Sequence, residues 1–308
     1  MLHHVVREFT SPRLIGVDAG SALIKAVELS QHRGRITVER WGIAEANDSG
    51  LAAALQPMLN VHDGKTPRVI IGLASPELVV KAVNFPRMPK KELQSAIRLE
   101  AEQAILNGHA LEEMAIDWHP LISESADGLR GLLAVAPKTI VATKIRTFAA
   151  AGLRPLIVDV EGLALWNAYW SLLGHREAGR KTILLVHVGA QKTNLVIVTG
   201  RDQLVLIRDL QVGLAAIKSG RGVEWTEEVR DSLAYARAQG GLRSLDAAFI
   251  TGGGDGPMLL SLVKAVIPSP AIFWNPLDRL ERGADCPPIE RGVGPLLSIA
   301  IGLALRHG

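Results

Sequence analysis

Three short apolar runs open the chain and recur in its second half. Residues 14–17 (LIGV) and 24–29 (IKAVEL) precede the alternating stretch 35–41 (RITVERW). Residues 183–186 (ILLV), 194–198 (NLVIV) and 203–207 (QLVLI) repeat the order. Short or alternating apolar runs split by glycine and polar residues predict antiparallel hairpins. The repeat keeps register: His187 stands 169 residues after Asp18, as Gly189 does after Gly20 and Asn194 after Lys25.

Each three-strand unit is followed by helical residues and one more apolar strand. That strand is 68–73 in the first half and 247–251 in the second, where it runs into Gly252, Gly253 and Gly254. Strands mixed with helices predict an α/β fold in layers. Two related halves predict a cleft between them, where ligands usually bind. The spacing of Leu93, Ala96, Ile97, Ala101 and Ala104 predicts a helix over 90–105, with Pro89 suited to its first turn. Residues 116–122 and 129–135 read as a strand pair around a turn at 123–128, and 139–151 as a helix stopped by Gly152. Then come a strand over 153–160 and helices over 162–173, 226–239 and 257–266. The run 295–305 is apolar all round, which predicts a helix buried between layers.

Composition narrows the class. Of 308 residues, 48% are apolar and 21% charged, and the net charge is +3, so a folded globular chain is expected rather than a disordered one. One cysteine, Cys286, excludes a disulfide scaffold. No Lys/Arg block marks nucleic acid as a partner. The longest apolar run, 295–305, falls short of the about 20 residues that span a bilayer, so a soluble cytoplasmic protein is expected.

The glycine turns carry the candidate chemistry. Backbone N–H groups in tight turns form concave sites for anions. The first turn adds Ser21 and Lys25; the second adds Lys192 and Thr193. Asp18 is of the type that holds hydrated Mg²⁺ with one or two carboxylates and phosphates. The triple glycine lets backbone approach a bulky group without Cβ clashes. A lone glycine turn is most often only a turn. Two at a fixed offset, with a third glycine cluster, raise the signal. The smaller features read as structural: His3 and His4 as an exposed pair, Trp166 and Trp170 as core at helical spacing, Cys286 as a loop residue, and Arg87, Lys90 and Lys91 as a solvated helix start.

These segments resemble the actin-like ATPase superfold, and most closely the PilM family of type IV pilus assembly proteins. The resemblance rests on LIGVDAGSALIKAVEL at 14–29, FPRMPKKELQSAIRLEAEQAI at 85–105, VDVEGLALW at 158–166, ITGGGDGPM at 250–258 and the run 294–306. It implies a duplicated, ribonuclease H-like fold of two lobes around a central cleft. The first lobe would span 1–157, with an FtsA-type small subdomain at about 86–150. The second would span 158–308, with helix 295–306 packing back toward the first. Members bind ATP between the lobes and the cytoplasmic N-terminus of PilN, a bitopic inner-membrane protein. By that resemblance Asp18, Gly20, Ser21 and Lys25 lie on the phosphates from one side, Gly189, Thr193 and Asn194 from the other, and Gly252, Gly253 and Gly254 beside the adenosine. Asp18 would hold Mg²⁺, and Asp159 and Glu161 would order water or the metal, with Asp18 and Glu161 the catalytic candidates. Location would be cytoplasmic, held at the inner membrane through the partner. Self-association and contacts with other pilus assembly proteins are open to such a chain.

Two departures shape the functional expectation. His187 stands where the family has a second-loop aspartate; it is either a histidine packed at a strand end or an imidazolium that attracts phosphate. Residues 211–244 have room for little more than one helix, a reduced second-lobe subdomain that leaves the adenosine side open. The chain is therefore expected to act as a scaffold, at most a weak ATPase. The alternatives are an active actin-like ATPase or kinase, an FtsA-like filament former, which would need an amphipathic tail helix, and a GspL-like type II secretion component, which would continue into a membrane span.

Overall fold

The computed structural model describes residues 13–47, 49–59, 66–105, 108–121, 128–174, 180–239 and 241–306. His3, His4 and the turn expected over 123–128 lie outside the described residues, apart from Gly128. The strands in chain order are β1 (Leu14–Ala19), β2 (Leu23–His32), β3 (Arg35–Glu45), β4 (Arg68–Leu73), β5 (Val79–Phe85), β6 (Met114–Pro120), β7 (Leu129–Pro137), β8 (Arg154–Val160), β9 (Thr182–Val188), β10 (Thr193–Thr199), β11 (Gln203–Leu210), β12 (Ala247–Gly252), β13 (Ala271–Phe273) and β14 (Glu281–Arg282).

They form three sheets. The first lobe's sheet runs β14-β3-β2-β1-β4-β8, the second lobe's runs β11-β10-β9-β12-β13, and a small sheet runs β5-β7-β6. In both lobes two antiparallel hairpins are followed by a parallel strand beside the first, β4 on β1 and β12 on β9. The 169-residue repeat is thus a repeat of topology. β1, β9 and β10 are almost wholly buried, as expected of strands covered on both faces.

Between the two large sheets lie the helices Glu161–Leu172 and Ser298–Ala304. Their approach is set by small residues: a Cβ on Gly302 would collide with the Ala164 carbonyl, and one on Gly16 of β1 with the Ala300 carbonyl. One continuous cluster joins Val27, Leu29 and Val38 of the first sheet to Leu165 and Tyr169, to Ile183, Val196 and Phe249 of the second sheet, and to Leu297–Leu305 side chains. Each large side chain so buried contributes roughly 1.5–3 kcal/mol. The lobes therefore share a core.

Several boundaries differ from the sequence reading. The small sheet takes in Val79–Phe85, ahead of position 86, because β5 pairs with β7 along its whole length. β8 pairs with β4 through Val160, so a division at 157/158 falls inside a strand. β14 joins the first sheet although it lies late in the chain. The run 295–305 is two helices, Val293–Leu296 and Ser298–Ala304, broken where Leu297 has ψ near zero. The helix expected over 226–239 spans Gly222–Ala238 and enters through a kink at Gly220, whose φ of 93° suits glycine. The Thr226 hydroxyl donates to the Val223 carbonyl, a bond made inside the helix. No helix of the described residues is long and apolar enough to cross a membrane.

Candidate functional site

The two hairpins bring their turns to one place. In the first, Asp18 pairs across the ladder with Lys25; in the second, His187 pairs with Asn194. The same ladder position thus holds a charged pair in one lobe and an uncharged pair in the other. Lys25 Nζ donates to Asp18 Oδ2 at 2.6 Å, and both residues are buried. Burial alone would raise the Asp18 pKa, but Lys25, with His187 and Lys192 nearby, holds it below the ordinary carboxylate value.

His187 is 3% exposed and its Nδ1 is hydrogen-bonded to Ser298 Oγ at 2.9 Å. Thr251 Oγ1 donates to the Pro295 carbonyl at 2.6 Å and lies 2.8 Å from the same Ser298 hydroxyl. Burial, then the Lys25 charge, push the His187 pKa down to about 3. The ring is neutral near pH 7. The imidazolium alternative is therefore removed, and the packed strand-end histidine remains.

Lys192 closes the second turn. Its Nζ donates to Glu161 Oε2 at 2.7 Å. Burial raises the Glu161 pKa against the pull of Lys192, with Asp18 and Asp209 adding to the rise. Lys192 itself is raised, because Glu161 and Asp209 outweigh burial. Asn194 Nδ2 donates to Asp209 Oδ1 at 2.6 Å, and burial raises the Asp209 pKa. Asp18, Lys25, Glu161, His187 and Asn194, all buried, thus form one polar cluster with the half-buried Lys192 and Asp209, its lysines already paired.

Thr193 does not face this cluster with its hydroxyl. Its Oγ1 donates to the Val212 carbonyl at 2.7 Å and accepts from Trp225 Nε1 at 3.0 Å, on the side of helix Gly222–Ala238. Alternation along β10 sends Thr193 and Asn194 to opposite faces. Gly20 and Gly189 close their turns through N–H donation to the Leu23 and Lys192 carbonyls, and Ser21 is exposed at the first tip. A Cβ on Gly20 would lie 3.2 Å from Lys25 Nζ, so the missing side chain makes room for the ammonium. The second turn is clasped instead: the Gly189 and Ala190 carbonyls accept from the Leu214 and Ala215 amides.

The triple glycine meets Leu214 as well. A Cβ on Gly254 would sit 2.8 Å from Leu214 Cδ1, and one on Gly253 3.3 Å from Leu214 Cδ2. Gly252 and Gly254 have φ of 109° and 104°, a region glycine favours. Gly253 and Gly254 serve a tight packing against Leu214, and Gly252 one against the Val188 backbone, which narrows the room beside them. The part of the cluster around Asp18, Lys25 and Lys192 offers lysines, a turn backbone and a carboxylate, a donor set suited to polyphosphate and Mg²⁺ once its ion pairs are exchanged. The glycine cluster at 252–254, filled by Leu214 and Val188, leaves less room for a bulky group.

Asp159 lies elsewhere. It is paired with Arg306 at 3.4 Å, and burial raises its pKa, with Asp117 of β6 adding to the rise and His119 opposing it. Asp209, Trp225, Thr251 and Ser298 were not singled out in the sequence. Asp209 carried one usable signal, since the hairpin register of β10 and β11 sets it opposite Asn194. Among the described residues no group of three His, Cys, Asp or Glu side chains is placed to hold a metal ion.

Residues 16–219 match the family model for the type IV pilus assembly protein PilM. The chain belongs to the PilM family. A solved structure described as a PilM–PilN type IV pilus biogenesis complex is similar over 95% of this chain and 97% of that one, at 24% identity and a TM-score of 0.75. The cytoplasmic domain of EpsL, an inner-membrane component of the type II secretion system of Vibrio cholerae, is similar over 94% and 95% at 12% identity and a TM-score of 0.50. These likenesses show the fold, shared over nearly the whole chain. For this PilM family member they agree with the topology repeat of the two large sheets.

Proposed function

We propose that the chain is a cytoplasmic scaffold of a type IV pilus machine. It binds the cytoplasmic N-terminal tail of a PilN-like inner-membrane protein, holds ATP weakly at most and does not turn it over. The match to the PilM family over residues 16–219 carries the pilus assignment. The similar PilM–PilN complex supports the choice of partner. The neutral His187 and the self-paired lysines support the absence of turnover. A general base or metal-positioning carboxylate is missing at position 187, and an incoming phosphate must first break Lys25–Asp18 and Lys192–Glu161. If ATP and Mg²⁺ bind, Lys25, Lys192 and the first turn would hold the phosphates and Asp18 the cation, which would supply charge neutralisation.

The small sheet is the docking place in this reading. β6 is an edge of the small sheet and β8 an edge of the first lobe's sheet. The two are near enough for Asp117 and His119 to act on Asp159. An extended peptide adds readily to such an edge. The test is a fluorescence-anisotropy titration of a labelled partner tail. Leu156→Asp on β8 and Asp117→Lys on β6 are each expected to weaken binding at least about tenfold, or about 1.4 kcal/mol. Full affinity in both variants would remove the β6–β8 edge as the docking place, and no binding by the unaltered protein would sink the partner assignment.

A further inference from the structure

We infer that residues 280–289 are a latch that fixes the angle between the two lobes, so that a ligand in the cleft does not rotate one against the other. This segment leaves the second lobe and adds a strand to the first. Glu281 and Arg282 pair in parallel with Thr37 and Val38, and the Gly283 amide donates to the Val38 carbonyl at 2.9 Å. Arg40 Nη2 then donates to Asp285 Oδ2 at 3.1 Å, and Trp41 Nε1 to the Pro287 carbonyl at 3.2 Å.

The first-lobe side of the latch is built in advance. Arg40 is cross-strand from Glu28 and donates to it at 2.8 Å; both are buried. A buried guanidinium held by one carboxylate keeps its remaining donors aimed in a fixed fork. The second-lobe side is rooted just as firmly. The Trp274 amide donates to the Ile250 carbonyl of β12 at 2.7 Å, and the Trp274 ring packs edge-on against Phe249 and Tyr169. Asn275 then caps the short helix Pro276–Arg279. Its side chain also occupies the space of a Cβ on Gly294, where the chain returns toward the central helices.

Position gives the latch its leverage. β14 lies at the opposite edge of the first sheet from β8, which leads into the central helix Glu161–Leu172. Rotation about those central helices would slide β14 along β3. Hinge motion needs a few residues that absorb the change, and here hydrogen bonds tie the strap on both sides, with the buried Arg40 on the first-lobe side reaching the exposed Asp285.

The test uses spin labels on cysteines at the exposed positions Ala52 and Glu227, one in each lobe, in a Cys286→Ser background. Pulsed dipolar spectroscopy reads the distance between them. The strap with no change beyond that serine is expected to give one narrow peak that stays in place when millimolar Mg-ATP is added. Gly283→Pro, which removes the amide donor, and the milder Asp285→Ala are expected to add a second, displaced population. A peak that moves with Mg-ATP while the strap is intact would overturn the inference. So would a single unchanged peak in the folded strap variants; if Gly283→Pro does not fold, Asp285→Ala decides. The readout needs no tail peptide, so it stands or falls separately from the partner assignment.

Discussion

The two hairpin turns share one geometry and differ in chemistry. Asp18 with Lys25 and His187 with Asn194 occupy the same ladder position, 169 residues apart. The first pair is ionic and internally satisfied. The second is uncharged and tied outward, His187 to Ser298 and Asn194 to Asp209. Two anionic groups at facing positions would repel each other unless a cation lay between them. The histidine removes that need. The difference teaches that one topology can carry two charge patterns at the same ladder position.

The largest expected effect is acid loss of stability through the second turn. His187 has a folded pKa of about 3 against an ordinary 6.5. Below pH 6.5 the unfolded chain gains the proton first, so stability falls as pH drops from 6.5 toward 3. The full loss is about 5 kcal/mol. Asp18 acts with a separate window, since its lowered pKa costs stability only below the ordinary 3.8. Denaturant titrations across that range should show a steeper acid slope in the unaltered protein than in His187→Asn. Equal slopes would mean that His187 is not buried neutral.

Next is the first turn. Asp18→Ala leaves the Lys25 charge buried without its partner and should cost about 3–5 kcal/mol in chemical denaturation. Asp18→Leu combined with Lys25→Met should recover most of that. A loss below about 1 kcal/mol in the single variant would show that the pair is solvated. This also means that Asp18→Ala is a poor control for nucleotide binding.

His187→Asp tries to make the two turns alike. Without divalent cation it should cost roughly 2–3 kcal/mol, as a carboxylate is buried beside Asp18. Millimolar Mg²⁺ should return part of the loss in a thermal melt, and an Mg²⁺-independent melt would show that the turns cannot share a cation. The smallest effect concerns Thr193. Thr193→Val should cost about 1–3 kcal/mol by leaving Trp225 Nε1 unpaired, and Thr193→Ser only about 0.8 kcal/mol. Equal losses would mean that packing of the methyl group, and not the hydroxyl, holds the second turn.

Much of the fold was legible because the hairpin runs and the 169-residue offset are local patterns. β1 to β4 and β9 to β12 follow them closely. β5 was not read, since Val79–Phe85 has apolar residues without a clean period and owes its state to pairing with β7. β14 was invisible because two polar residues become a strand only against Thr37 and Val38, far earlier in the chain. At the site, Asp18, Lys25, His187 and Asn194 were legible as positions around two turns, and Glu161 only through the family resemblance of 158–166. The roles of Thr193 and the triple glycine were not. Thr193 is turned by strand alternation toward Trp225, and the space beside the glycines is taken by Leu214 at Gly253 and Gly254 and by the Val188 backbone at Gly252, which only tertiary packing decides.

The scaffold claim is tested most directly by one titration, in which the affinity for the partner's tail peptide is measured with and without millimolar Mg-ATP while phosphate release is followed in the same sample. The account predicts the same dissociation constant in both conditions and no phosphate release above the protein-free control. A tail that binds only with ATP, or release that is abolished by Lys25→Met, would contradict it.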